Sequence, residues 1–170
     1  FRNVSREMLH QLTDRFMDEY VQSELPNFQD RTARFRYLFS RLRTTAYAVV
    51  EETARELAES DFVPVEFELS FGDKGTLPAV TVSEPDGELR VNGKVDRVDG
   101  WVRNGRLYLR VVDYKTGKKS FDLAEVRMGL DIQMLLYLFT LQKEGQGYFQ
   151  KEIVPAGVLY LPARDEILAQ

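Results

Sequence analysis

The sequence contains no cysteine among its 170 residues. This absence excludes disulfide bonds, zinc ribbons and cysteine-ligated iron–sulfur clusters within the segment. The single histidine, His10, excludes a metal site built from several histidines and argues against a serine–histidine triad. No run of about 18 apolar residues and no signal peptide occurs in the sequence, so we expect a cytoplasmic chain with no membrane partner. The first residue is Phe1 rather than methionine, and we expect the chain to be part of a longer protein.

What the sequence does contain is an ordinary globular mixture, with 44% apolar and 29% charged residues. We expect one domain over residues 1–170, with a helical lead-in over 1–60 and a sheet-containing core over 61–170. The net charge is −4, but residues 91–120 carry eight basic and three acidic side chains, a local charge of +5. That stretch indicates either a solvated hairpin or a local platform for phosphate.

The spacing of apolar residues predicts an α/β order of elements. Steps of three and four residues favour helices over 6–23 and 31–59, each expected to turn an apolar stripe toward a core. A capping box at Asp122 predicts a third helix that runs to about Lys143. Alternation of apolar and polar residues, bounded by turn residues, predicts strands over 63–71, 79–82, 88–99, 107–115 and 155–161. Because the last strand follows a helical crossover, we expect the sheet to be mixed.

Two acidic residues and a lysine lie at the ends of strands that are predicted to be neighbours. Residues i and i+2 of a strand face the same side, so Asp113 and Lys115 project together, and Tyr114 leaves its carbonyl at the same edge. A tight hairpin at Asn104-Gly105 pairs this strand with the preceding one, which allows Asp96 to approach Asp113. Two carboxylates and a carbonyl form an oxygen-rich site that suits Mg²⁺, and the lysine is placed to orient a water or to stabilise charge on a phosphoryl group. The alternative is a set of ordinary surface ion pairs.

Gln133 and Tyr137 lie four residues apart in the third predicted helix and therefore on one of its faces. A buried amide and a buried hydroxyl need hydrogen-bonding partners. A nearby phosphate or a lysine-held water would provide them, and so would the backbone of a neighbouring strand.

Three blocks together carry a resemblance to a known family: Gly93…Asp96, Asp113-Tyr114-Lys115 and Gln133…Tyr137. In this order they resemble the G-x-x-D, D-x-K and Q-x-x-x-Y motifs of the RecB-like branch of the PD-(D/E)xK nuclease superfamily. The likeness is closer still to the C-terminal nuclease domains of AddB proteins of bacterial AddAB helicase–nucleases, and it covers roughly residues 30 to 162. The resemblance implies a restriction-endonuclease-like α/β core, a central mixed sheet flanked by helices.

The resemblance also implies a role for each motif residue. Asp96 and Asp113 would be metal ligands together with the Tyr114 carbonyl, and Lys115 would be the catalytic lysine. Gln133 and Tyr137 would support the site, and a glutamate that matches Glu68 often occurs in the family. The implied activity is an Mg²⁺-dependent exonuclease, with Mn²⁺ able to substitute, which cuts single-stranded DNA delivered by an AddA-type helicase–nuclease partner during double-strand-break repair. No G-x-x-x-x-G-K-[ST] phosphate loop occurs, so ATP hydrolysis would come from partner regions.

The sequence departs from the family in two respects. The family places a histidine in a G-x-x-x-H helix ahead of the core; His10 lacks that context, and we expect this element before Phe1. The four cysteines of the family's iron–sulfur cluster are also missing, so this cofactor is not possible within the segment. Two alternatives stay open at this point: a catalytically silent DNA-binding or scaffold domain of the same complex, and a stand-alone nuclease of the Cas4 kind.

Overall fold

The structure is a computed structural model, and it describes residues 4–84, 87–115 and 132–163. The helices are α1 (Arg6–Glu24), α2 (Ala33–Glu59), α3 (Gln133–Glu144) and the short α4 (Gln146–Phe149), with a 3₁₀ turn at Phe28–Asp30. The strands are β1 (Val63–Phe71), β2 (Val80–Glu84), β3 (Gly87–Val91), β4 (Gly93–Arg103), β5 (Arg106–Lys115) and β6 (Ile153–Pro162). The chain divides into two units, residues 1–60 with 115–117 and 162–170, and residues 61–114 with 118–161.

A four-stranded sheet in the order β1-β4-β5-β6 organises the second part of the sequence. β4 is antiparallel to both β1 and β5. β6 runs parallel to β5, since the Leu107 N–H donates to the Glu152 carbonyl and the Ala163 N–H donates to the Lys115 carbonyl further along both strands. The expected fold class, an α/β protein with a central mixed sheet, is therefore confirmed.

The predicted hairpin between β4 and β5 is also confirmed. Its two turn residues, Asn104 and Gly105, have φ angles of 52° and 76°, the left-handed values that a two-residue turn of this kind requires. Arg103 pairs with Arg106 on either side of the turn. This turn fixes the register of the two strands over their whole length, and so it fixes which residues meet at their far ends.

Two predicted element bounds need correction or fall outside the described ranges. The single strand expected over 88–99 is wrong, because the chain changes partner at Asn92. Before that residue β3 pairs with β2 in a separate two-stranded sheet, and after it β4 pairs with β1 from Gly93 onward. The predicted helix start at Asp122 lies outside the described residues. Within the described residues, α3 begins at Gln133.

The core of the sheet-containing unit is a cluster of buried side chains from the strands and from α3. α3 contributes Met134, Tyr137, Leu138 and Leu141, all on adjacent turns. The strand residues in the cluster are Leu69, Phe71, Leu77, Val95, Val98, Leu107, Leu109, Val111 and Ile153. Burial of this apolar surface ties α3 to β4 and β5, the strands that carry the candidate site.

α1 and α2 each begin at a capped N-terminus, where the Ser5 and Thr32 hydroxyls accept hydrogen bonds from backbone N–H groups. The expectation that both apolar stripes face a core is wrong for most of their length. Phe16 on α1 is 57% exposed and Leu42 on α2 is 54% exposed, whereas Leu9, Ala46 and Val49 are half-buried. The two helices meet instead through polar contacts.

Among the residues in these ranges no helix is both long and apolar enough to cross a membrane.

The polar seam between α1 and α2 contains His10. Its ring stacks on Tyr47 with 4.2 Å between centroids, and its Nε2 contacts the Glu51 carboxylate. The Arg43 guanidinium bridges Asp14 and Asp18 on α1. Two helices share only one seam, so a seam filled by these polar pairs leaves the apolar stripes at the surface of the hairpin.

Candidate active site

The two aspartates that the sequence singled out lie on neighbouring strands, Asp96 on β4 and Asp113 on β5. Backbone pairing between the strands is regular up to Arg97 opposite Val112, and the same register continued by one residue sets Asp96 opposite Asp113. At this point the Tyr114 N–H donates to Asp96 Oδ2 at 2.9 Å. The Asp96 carboxylate thus takes a place that a backbone carbonyl has in a regular ladder, and it lies against the peptide that follows Asp113.

Asp113 and Lys115 follow the alternation of β5. Asp113 is half-buried, and its Oδ2 atom is shielded from solvent. Lys115 is the last residue of β5, and its carbonyl is held by the Ala163 N–H at 2.8 Å. Between these two residues stands Tyr114, whose side chain points to the other side of the strand.

The donor atoms at this strand end fit a hard divalent cation. Asp96 and Asp113 supply carboxylate oxygens from opposite positions on neighbouring strands, and the Tyr114 carbonyl lies in the chain next to Asp113. A hydrogen bond to one Asp96 oxygen does not exhaust its lone pairs. Within residues 4–84, 87–115 and 132–163, no three Asp, Glu or His side chains group so as to hold a metal ion. A cation bound here would draw its protein ligands from the Asp96 and Asp113 carboxylates and from main-chain oxygens.

The Gln133–Tyr137 pair on α3 bonds internally, an arrangement that neither sequence interpretation included. Gln133 Nε2 donates to the Tyr137 hydroxyl at 2.6 Å. The Tyr137 ring is buried, with 1% of its surface exposed, and stacks on Phe71 at 4.8 Å. A Cβ atom at Gly93 would lie 1.5 Å from the Tyr137 hydroxyl oxygen. Only glycine leaves room for the tyrosine hydroxyl at the start of β4. Gly93 precedes Asp96 by three strand residues, roughly 10 Å.

Sequence reasoning missed a buried ion network on β4 and β5. Arg97 and Asp99 each have 0% exposed surface, and Arg97 Nε lies 2.8 Å from Asp99 Oδ1. Arg110 donates from Nε to Asp99 Oδ2 at 2.9 Å. Arg97 also donates from Nη1 to the Tyr114 hydroxyl at 2.7 Å. The available signal was an Arg and an Asp at i and i+2 inside an otherwise apolar strand, opposite a second Arg in the hairpin register.

Glu68 lies on β1 between Phe67 and Leu69, which pair with Arg97 and Val95, so it stands level with Asp96. Its φ angle is 54°, an uncommon value for a residue other than glycine. Its carboxylate is exposed and forms an ion pair with Lys94. The sequence alone left a solvated strand residue and a functional glutamate equally open at this position.

The family model for the PD-(D/E)XK nuclease superfamily matches residues 2–169 of this chain. Three relatives, from Clostridium tetani, Acetivibrio thermocellus and Exiguobacterium sibiricum, are each named as a subunit of an ATP-dependent helicase/deoxyribonuclease. They are 29%, 31% and 35% identical to the chain over 171, 169 and 168 residues, respectively. The alignments cover 99%, 99% and 96% of the chain, which spans 15% of the length of each relative.

Proposed function

The chain belongs to the PD-(D/E)XK nuclease superfamily, and on this premise we propose that it hydrolyses phosphodiester bonds of DNA in a reaction that depends on a divalent metal ion. One observation supports the proposal: the Tyr114 N–H donates to Asp96 Oδ2 at 2.9 Å, which holds the Asp96 carboxylate against the peptide that follows Asp113. We assign catalysis to residues 61–170, with residues 1–60 as a helical lead-in.

Asp96, Asp113 and the Tyr114 carbonyl would hold the metal ion, Mg²⁺ or Mn²⁺. When bound there, such an ion supplies Lewis acidity toward a phosphoryl oxygen and lowers the pKa of a coordinated water. The protein's own contribution is to fix the oxygen ligands. The N–H of Tyr114 keeps Asp96 against β5, and the hairpin register keeps Asp113 in line with it.

Lys115 would supply the positive charge of the site. It projects on the same side of β5 as Asp113, where its ammonium group can donate to an attacking water or to the oxygens of the scissile phosphate. Gln133 and Tyr137 would support the site from α3 by fixing the start of β4 through the hydroxyl that fills the space above Gly93.

The substrate and assembly that we propose come from the names of the relatives. Those proteins are helicase/deoxyribonuclease subunits, and we propose that this chain acts as the exonuclease module of an AddAB-type enzyme for double-strand-break repair. It would cut single-stranded DNA ends delivered by an AddA-type helicase–nuclease partner. Arg97 and Arg110 are engaged by the buried Asp99, so the other basic side chains of residues 91–120 would be the ones to contact a DNA backbone.

The test is a digestion of end-labelled linear single-stranded DNA, with circular single-stranded DNA of the same sequence as a second substrate. We expect the wild-type chain to degrade the linear DNA with Mg²⁺ or Mn²⁺, to leave the circle intact, and to stop when EDTA is added. Asp113→Asn removes one ligand charge and is expected to slow cleavage on the order of a hundredfold or more. Asp73→Asn is the matched control, because Asp73 is an exposed acid paired with Arg90.

Two results would contradict the proposal. Undiminished cleavage by Asp113→Asn would remove this aspartate from the site. Binding of DNA by the wild-type chain without cleavage under either metal would favour the alternative of a silent DNA-binding domain, for which the overall charge of −4 leaves room.

A further inference from the structure

Tyr114 is held at two separate points. Its peptide N–H donates to Asp96 Oδ2 at 2.9 Å, and its side-chain hydroxyl accepts a hydrogen bond from Arg97 Nη1 at 2.7 Å. The first contact lies on the side of the candidate metal ligands, and the second lies on the opposite side of β5. The first bond fixes the peptide that joins Tyr114 to Asp113 and the second fixes the side chain, so neither can rotate without breaking a hydrogen bond.

Arg97 is itself fixed by a second layer of charges. Asp99 Oδ2 accepts a hydrogen bond from Arg97 Nη2 at 3.0 Å, and Asp99 Oδ1 lies 2.8 Å from Arg97 Nε. The same carboxylate accepts a hydrogen bond from Arg110 Nε. The Arg110 guanidinium lies over the Phe62 ring, 4.6 Å from its centroid. Two guanidinium groups therefore share one fully buried carboxylate, and both the Asp and Arg97 are inaccessible to solvent.

Such a network is a poor source of stability. Burying charges costs desolvation energy that their mutual attraction repays only in part, and apolar residues of similar volume often serve equally well. The network does, however, give one guanidinium a single orientation, and that guanidinium ends on the hydroxyl of the residue between Asp113 and Lys115.

We propose that Arg97 is a positioning residue: anchored by Asp99 and Arg110, it holds the Tyr114 side chain, and with it the backbone of residue 114, so that the carbonyl of this residue faces the metal. This inference rests on the proposed function for its consequence, since the carbonyl is one of the proposed metal ligands. One consequence does not depend on that function: without the Arg97–Tyr114 bond, the backbone at residue 114 is less restrained, and its N–H bond to Asp96 opens more often.

The test compares three single variants of the full chain. Tyr114→Phe deletes only the hydroxyl that Arg97 contacts, and Arg97→Lys keeps the charge but cannot reach Asp99 and the Tyr114 hydroxyl together. Tyr108→Phe is the matched control, because it deletes the same group from a half-buried tyrosine of the same strand toward the hairpin end. For each chain we would measure hydrogen exchange of the residue 114 amide, Mn²⁺ affinity by calorimetry, and the cleavage rate at saturating DNA.

In Tyr114→Phe and Arg97→Lys we expect the residue 114 amide to exchange about tenfold faster, the size expected for loss of one hydrogen bond to a charged group. Mn²⁺ affinity and the cleavage rate should fall together by about the same factor, with KM for DNA unchanged. Because Arg97 acts through Tyr114, the double variant should be no worse than the poorer single variant. Tyr108→Phe should match the wild type in all three measurements.

Wild-type exchange at position 114 in Tyr114→Phe would overturn the inference, and so would single-variant effects that multiply in the double variant. Failure of the proposed function gives a different pattern. In that case the wild-type chain neither binds Mn²⁺ nor cleaves DNA, and the exchange measurement alone still decides whether Arg97 positions the peptide.

Discussion

Gly93 is the position at which a single added methyl group should do the most damage. The strand conformation of this glycine is open to other residues, since its φ lies outside the left-handed region, so the requirement for glycine comes from space alone. A Cβ atom built there lies 1.5 Å from the hydroxyl oxygen and 2.6 Å from Cζ of Tyr137. Both distances are far inside van der Waals contact, and Gly93→Ala must therefore displace the tyrosine.

The displacement has two costs. Overpacking of a dense core typically costs about 1–3 kcal/mol. Moving the Tyr137 ring also breaks its bond from Gln133 and disturbs its stack on Phe71, for about another 1 kcal/mol. We therefore expect Gly93→Ala to lower the free energy of unfolding by about 3 kcal/mol, a large share of the roughly 5–15 kcal/mol typical of a domain.

Urea denaturation of the wild type, of Gly93→Ala, of Tyr137→Phe and of the double variant measures this effect. Tyr137→Phe removes the atom at 1.5 Å and leaves Cζ at 2.6 Å, so Gly93→Ala should cost at least about 1 kcal/mol less in that background than in the wild type. Gly147→Ala is the control, because nothing lies within 4 Å of its Cβ and alanine is the better helix former. Equal costs for Gly93→Ala in both backgrounds, or a neutral Gly93→Ala, would refute the steric explanation of this glycine.

Three further predictions concern the catalytic support, the hairpin and the helical seam. Gln133→Ala should slow DNA cleavage less than Asp113→Asn does, about tenfold, because it removes one support of Tyr137 rather than a proposed ligand; equal losses in a rate comparison would contradict that ranking. Gly105→Ala should destabilise the chain by about 1 kcal/mol in urea, since φ is 76° there, while Asn104→Gly should be close to neutral; a neutral Gly105→Ala would show that the turn relaxes. The Arg6 guanidinium, aided by His10, holds the pKa of Glu51 below its usual 4.5, so Glu51 stabilises the fold above that pH and this contribution is lost as the pH falls through the lowered pKa. The stability gap between wild type and Glu51→Gln should accordingly narrow on acidification, and a gap that widens below pH 4.5 would mean that the fold does not favour the charged carboxylate.

The hairpin that carries the candidate site could be predicted from local chemistry alone. Asn104-Gly105 accepts positive φ at both turn positions, and apolar alternation on either side fixes the faces of the strands. Once that turn is set, the register follows by counting from Arg103 opposite Arg106 to Arg97 opposite Val112, the residues next to the two aspartates. The motif residues on β4 and β5 are therefore legible in the sequence.

Other features could not be predicted because they depend on partners far away in the chain. The strand break at Asn92 is invisible in the alternation, which continues across it while the pairing partner changes from β2 to β1. Arg97 reads as a surface residue of a strand until the fold supplies Asp99 and Arg110 around it. The apolar stripe of α1 resembles a core face, yet the seam with α2 is closed by polar pairs.

The hydrogen-bond partner of the Tyr137 hydroxyl could not be predicted from the sequence either. A helix period places Gln133 on the same face but does not say whether the two side chains bond to each other or to a strand. In the structure the Tyr137 hydroxyl lies over Gly93 at the start of β4, and there it accepts a hydrogen bond from Gln133.

Anomalous diffraction from crystals grown with Mn²⁺ tests most directly whether two aspartates and one carbonyl at this strand end hold the metal ion. We expect one strong anomalous peak in contact with the carboxylates of Asp96 and Asp113 and with the Tyr114 carbonyl oxygen, and no such peak in Asp113→Asn crystals. A manganese peak bound elsewhere, with both aspartates engaged only by protein atoms, would contradict the proposed metal site.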